Sequence, residues 1–170
     1  LETTLATYED VIERKTARFI AGCAEAGGLL GGADSTEAAA LRAYGHHLGM
    51  AFQIADDLLD FLGDPARTGK PLGTDLRDGR ITLPLIHAME QASAAERATL
   101  SELLAKGMAL TDTEIQEITA ALERLGGFER ARSVATERAE KAVAELSRFP
   151  ESIYKNALID LARYVVARDR

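Results

Sequence analysis

Between Leu48 and Leu62 the chain carries only four polar side chains, Gln53, Asp56, Asp57 and Asp60, in a run that is otherwise apolar or glycine. Their spacing is i, i+3, i+4 and i+7. At about 100° per residue this gathers them into one stripe, roughly 100° wide, on a helix that is apolar on its other sides. Such a helix is normally a buried one, so the fold has to wrap it. Buried carboxylates repel one another and lose hydration unless positive charge neutralises them. Three on one stripe require a cation. Carboxylate-only ligation suits a hard ion, and Mg²⁺ completed by water and phosphate oxygens fits best. A solvated acidic face would have polar neighbours on that side, and this stripe does not.

The rest of the chain punctuates as helix, without convincing period-2 alternation. Thr7 is positioned to cap a helix from Tyr8 into the region of Ala24 to Ala26, with Gly27-Gly28 as its stop. Asp34-Ser-Thr-Glu37 resembles a capping box opening the acidic helix, which ends near Gly63-Asp64-Pro65. Residues 64–82 hold five glycines or prolines among Lys70, Asp75, Arg77, Asp78 and Arg80, and read as a long polar loop. Pro84 begins a helix to about Ala92, and Ser93–Glu96 and Thr111–Glu114 form two more capping boxes. Gly126-Gly127 closes the Glu114 helix; a long helix then runs to Ser147, and Pro150 precedes a last one ending near Arg168. The expectation is an all-α domain of about seven helices. Abundant Ala, Leu, Glu and Arg, with aromatic content of only 5%, favour the same class.

A net charge of −7 with dispersed basic residues excludes an electrostatic nucleic-acid surface, and no apolar run is long enough to span a membrane. Cys23 is the single cysteine, so no internal disulfide is available, and it reads as a packed, reduced thiol of a cytoplasmic protein. His46 extends the acidic stripe, since 46, 53 and 60 are seven apart, but adjacent histidines on a helix point in different directions. Ordinary packing is therefore the simpler reading for His46 and His47. Gly45 and Gly49 interrupt the same helix at a cost of roughly 1 kcal/mol each, which a close-packed neighbour would explain.

Lys70 and Arg80 sit on glycine-flanked backbone just after the acidic helix, and Lys15-Thr16 on the first helix adds an ammonium and a hydroxyl. Cations beside a metal-binding carboxylate stripe make sense when the ligand is a diphosphate, its oxygens shared between metal, Lys and Arg.

Phe52-Gln-Ile-Ala-Asp-Asp-Leu-Leu-Asp60, then Gly63-Asp-Pro, Thr68-Gly-Lys-Pro-Leu-Gly-Thr-Asp75 and Thr82-Leu-Pro84, resemble the second aspartate-rich region of trans-isoprenyl diphosphate synthases. Tyr8 and Lys15-Thr-Ala17 resemble the helix of that family whose Lys and Thr approach the substrate diphosphate, and Tyr164 to Arg170 resembles the C-terminus of bacterial polyprenyl members. Arg80 departs from the pattern by standing where the family usually has Lys. The first acidic motif of the family and its Gly-Gly-Lys-Arg stretch do not occur in residues 1–170, and the chain starts with Leu1. The resemblance therefore implies the C-terminal portion of a single isoprenoid-synthase helical bundle, its N-terminal helices absent and the isolated fragment inactive.

The activity implied by the resemblance is Mg²⁺-dependent prenyl transfer. An allylic diphosphate ionises, isopentenyl diphosphate attacks the cation, and a proton leaves with pyrophosphate. By carry-over, Asp56, Asp57 and Asp60 are the metal and catalytic carboxylates, joined in catalysis by Lys15 and Lys70. Lys15, Thr16, Gln53, Lys70 and Arg80 bind diphosphate, and Phe52 lines the hydrocarbon pocket or packs in the core. The resemblance also implies a homodimer, without nucleic acid or membrane insertion. Two alternatives remain: a non-catalytic regulatory subunit or paralogue of a prenyl synthase, and a class I terpene cyclase. The intact stripe disfavours the first. The second is disfavoured because its second metal motif mixes Asn, Ser or Thr with Glu.

Overall fold

The computed structural model describes residues 3–64, 66, 69 and 71–167; Lys70 and Thr68 lie outside them, as do Arg168 to Arg170. No strand occurs among the described residues, and each of the seven expected helices is present. The described residues fall into two compact units, one drawn from 3–8 and 56–132, the other from 9–55 and 133–167.

The first helical run opens at Thr4 rather than Thr7, because the Thr4 hydroxyl accepts the Thr7 N–H at 3.2 Å. It continues as α1 (Leu5–Ile12), a π-helical turn (Glu13–Ala17) and α2 (Arg18–Leu30). Gly27-Gly28 does not stop it. The left-handed residue that a helix end needs is Gly32 (φ 87°), and across it Ala33 N–H bonds the Gly28 carbonyl at 3.0 Å. Cys23 is exposed on α2, not packed as the sequence suggested.

The acidic helix is α3 (Ser35–Leu62), opened by a reciprocal box in which Asp34 Oδ1 accepts Glu37 N–H and Glu37 Oε2 accepts Asp34 N–H. A Cβ on Gly45 would lie 2.7 Å from the Ile20 carbonyl oxygen, and one on Gly49 would lie 2.5 Å from Ala17 Cα. These glycines thus let the π turn and α2 press backbone to backbone on α3, as their placement in the sequence suggested.

Within residues 64–82, where the sequence suggests only a loop, the described residues include a short helix, α4 (Thr74–Arg77). Then come α5 (Leu83–Gln91), α6 (Ala94–Leu104), α7 (Asp112–Arg124), α8 (Gly127–Glu145) and α9 (Ile153–Ala167). Ser93–Glu96 and Thr111–Glu114 are complete capping boxes. In the unit containing 56–132, Leu76, Leu85, Ile118 and Leu122 are fully buried, and the Phe61 and Phe128 rings meet at 5.5 Å. The other unit is built on Tyr44, Leu48, Ala51 and Ala55 of α3 with Ala139 and Ala142 of α8 and Ala162 and Val165 of α9. There the Tyr44 hydroxyl donates to the Leu158 carbonyl at 2.8 Å. Phe52 packs against this cluster, which supports its core reading.

Candidate functional site

The three aspartates occupy the last two turns of α3, and the fold uses each differently. Asp56 is exposed. Asp57 is 5% exposed, and its Oδ2 accepts a 2.6 Å hydrogen bond from the hydroxyl of Tyr8, itself 4% exposed. A short bond to a buried carboxylate is of the charge-assisted, stronger kind.

Asp60 is half-buried and takes three successive backbone N–H groups. Its own carbonyl accepts from Gly73 at 2.8 Å, Oδ1 from Thr74 at 3.1 Å and Oδ2 from Asp75 at 3.0 Å. Burial pushes the Asp60 carboxyl up, and the neighbouring Asp75 charge adds to that, while the Asp75 and Thr74 amides and Arg80 pull the other way.

Arg80 donates from Nη1 to Asp75 Oδ1 at 2.8 Å and its Nη2 lies 3.2 Å from Asp78 Oδ2. The bond to Asp75 leads the effects that raise the guanidinium further above its ordinary value. Arg80 is exposed, so each pair contributes only about 0–1 kcal/mol to folding, and the guanidinium is held in place without being committed.

In the other unit the Thr16 hydroxyl donates to Gln53 Oε1 at 2.8 Å, and Gln53 is buried. Lys15 is exposed on the π turn next to Thr16. Such turns inside α-helices are rare and concentrate at functional sites. The fold thus pairs Thr16 with Gln53, and Asp60 with the loop that bears Arg80; Lys70 is not among the described residues.

Among the described residues no three His, Cys, Asp or Glu side chains converge to hold a metal ion, His46 and His47 included. The two histidine rings instead meet edge to face, 5.4 Å apart. The donor set still fits Mg²⁺, which takes one or two carboxylates and completes its shell with water and phosphate oxygens rather than a protein cage. The exposed Asp56 carboxylate is suited to that. Sequence reasoning gave no task to the Tyr8 hydroxyl or to the amides of Gly73, Thr74 and Asp75. A buried tyrosine needs a partner for its hydroxyl, which was the one available signal.

The family profile described as polyprenyl synthetase matches residues 1–123. The chain is 38% identical, over 99% of its length and 51% of the relative's, to a short chain isoprenyl diphosphate synthase of Methanothermobacter thermautotrophicus. It is 37% identical, over 99% and 52%, to the octaprenyl diphosphate synthase of Escherichia coli. Among solved structures, a polyprenyl synthase from Caulobacter crescentus complexed with calcium and isoprenyl diphosphate superposes with a TM-score of 0.93 at 33% identity, covering 99% of this chain and 51% of that one. The chain thus spans about half the length of the curated relatives it matches.

Proposed function

Since this chain belongs to the polyprenyl synthetase family, we propose that the complete protein condenses isopentenyl diphosphate with an allylic diphosphate to a longer trans-polyprenyl diphosphate, acting as a homodimer. The observation that carries this reading is an exposed Asp56 carboxylate on an otherwise buried stretch of α3, flanked by two aspartates with fixed hydrogen-bond partners. Asp56 would hold the metal directly, and Asp57 and Asp60 would hold it directly or through ordered water. Bound Mg²⁺ supplies the positive charge that makes the departing diphosphate a stable leaving group.

The chain's own groups add fixed donors to that charge. Arg80, Lys15 and Lys70 hold diphosphate oxygens, with Thr16 and Gln53 as further polar contacts. Preorganised donors aimed at developing charge are commonly the largest single contribution to such a reaction. The leaving diphosphate then takes the proton released after the carbon–carbon bond forms. Two relatives of nearly equal identity are named for short-chain and octaprenyl products, so product length is left to measurement.

The test is a prenyl-transfer assay on the full-length protein with Mg²⁺, both diphosphates and chromatographic sizing of the product. Asp56→Ala is expected to lower kcat about 10²-fold or more, with helical circular dichroism unchanged. Wild-type turnover in that variant would overturn Asp56's role. A full-length protein that leaves both substrates untouched yet alters the rate of a complete synthase would replace the enzyme reading with the regulatory one.

A further inference from the structure

We propose that Asp60 is a positioning residue, holding the diphosphate-binding loop in place before any metal arrives; the catalytic part of this inference rests on the function proposed above. Three consecutive N–H groups, those of Gly73, Thr74 and Asp75, converge on the one residue, through its carbonyl and both carboxylate oxygens. A carboxylate serving only as a metal ligand has no need of two amides on its two oxygens. This one ties the end of α3 to the start of α4.

The tie extends to a cation. Asp75, whose amide bonds Asp60, also accepts Arg80 Nη1 at 2.8 Å, and its carbonyl accepts the Arg80 N–H at 2.8 Å. Asp60 therefore fixes the backbone on which Arg80 stands, two hydrogen bonds removed from the guanidinium. The seat is specific at both ends. Gly73 is left-handed (φ 71°), and a Cβ there would strike the Ile115 side chain at 2.6 Å. At the end of α4, Arg77 Nη2 bonds Asp112 at 2.6 Å and its Nε donates to the Leu110 carbonyl at 3.3 Å. Between these two seats, Asp60 sets the loop's distance from the acidic helix.

Hydrogen exchange on the metal-free, full-length protein separates this role from metal ligation. The wild-type amides of Thr74 and Asp75 are expected to be protected, and Asp60→Ala to exchange them roughly tenfold faster while α5 to α8 stay protected. Asp60→Asn keeps one acceptor oxygen, so it is expected to fold and to fall between the two. It also serves as the decisive variant should the alanine form not fold. In the assay, Asp60→Ala raises KM for the allylic diphosphate by more than the loss of Mg²⁺ affinity measured by calorimetry. Unchanged exchange in both metal-free variants, with only Mg²⁺ affinity reduced, would overturn the proposal. If the wild type itself shows no prenyl transfer, the function fails instead, and the exchange data still decide whether Asp60 holds the loop.

Discussion

Replacing Tyr8 by Phe removes one hydroxyl and, with it, the 2.6 Å bond to Asp57. Because that carboxylate is buried, the lost bond cannot be exchanged for one to bulk water. The expected cost is about 1.5–3 kcal/mol, the range for hydrogen bonds to charged groups. Urea denaturation of the variant checks it; an unmoved midpoint would mean that Asp57 draws its support elsewhere. The acidic stripe was legible because it is written in local spacing on one helix. Its partners were not, since Tyr8 lies 49 residues from Asp57, and Thr16 lies 37 from Gln53. Only folding brings such pairs together, and no periodicity encodes which hydroxyl meets which oxygen.

Helix starts were the most readable elements, for a related reason. The boxes at Asp34–Glu37, Ser93–Glu96 and Thr111–Glu114 close within four residues, so the sequence holds the whole device. The first helix was misjudged at both ends, because Thr4 and Gly32 beat Thr7 and Gly27-Gly28 on geometry that side-chain identity does not show. α4 was invisible, being held by a cap on another helix. Glycine contacts allow a paired test. Gly49→Ala places a methyl 2.5 Å from Ala17 Cα and is expected to destabilise by about 1–3 kcal/mol despite better helix propensity. Gly22→Ala meets nothing within 4 Å and is expected to stabilise by roughly 0.5–1 kcal/mol. Thermal or urea unfolding of both reads the difference; similar signs would show that the π turn yields to accommodate the Gly49 methyl.

Over the whole molecule, pH acts through groups spread across both units. Glu96 and Glu114 are drawn down to about 2, Glu96 first by the Ser93 hydroxyl and Glu114 first by Lys106. Their folded values lie below the ordinary 4.5, so their contribution is complete above 4.5 and fades as pH falls toward 2. Burial, then His46, lowers His47 from 6.5, so protonating it also opposes folding as the solution acidifies. Tyr44 is pushed up by burial from 10.0 to about 12, so its contribution is intact below 10 and is lost through 12. A plot of Tm against pH is expected to be flat from roughly 7 to 10 and to fall on either side. A maximum below pH 5 would contradict the acid arm. The wide turn at Glu13–Ala17 amounts to a surplus position swallowed by a helix, and each position is worth about 100° of rotation. Aligning this chain with a cousin wound uniformly there requires a one-letter gap, without which every upstream residue is matched to the wrong flank.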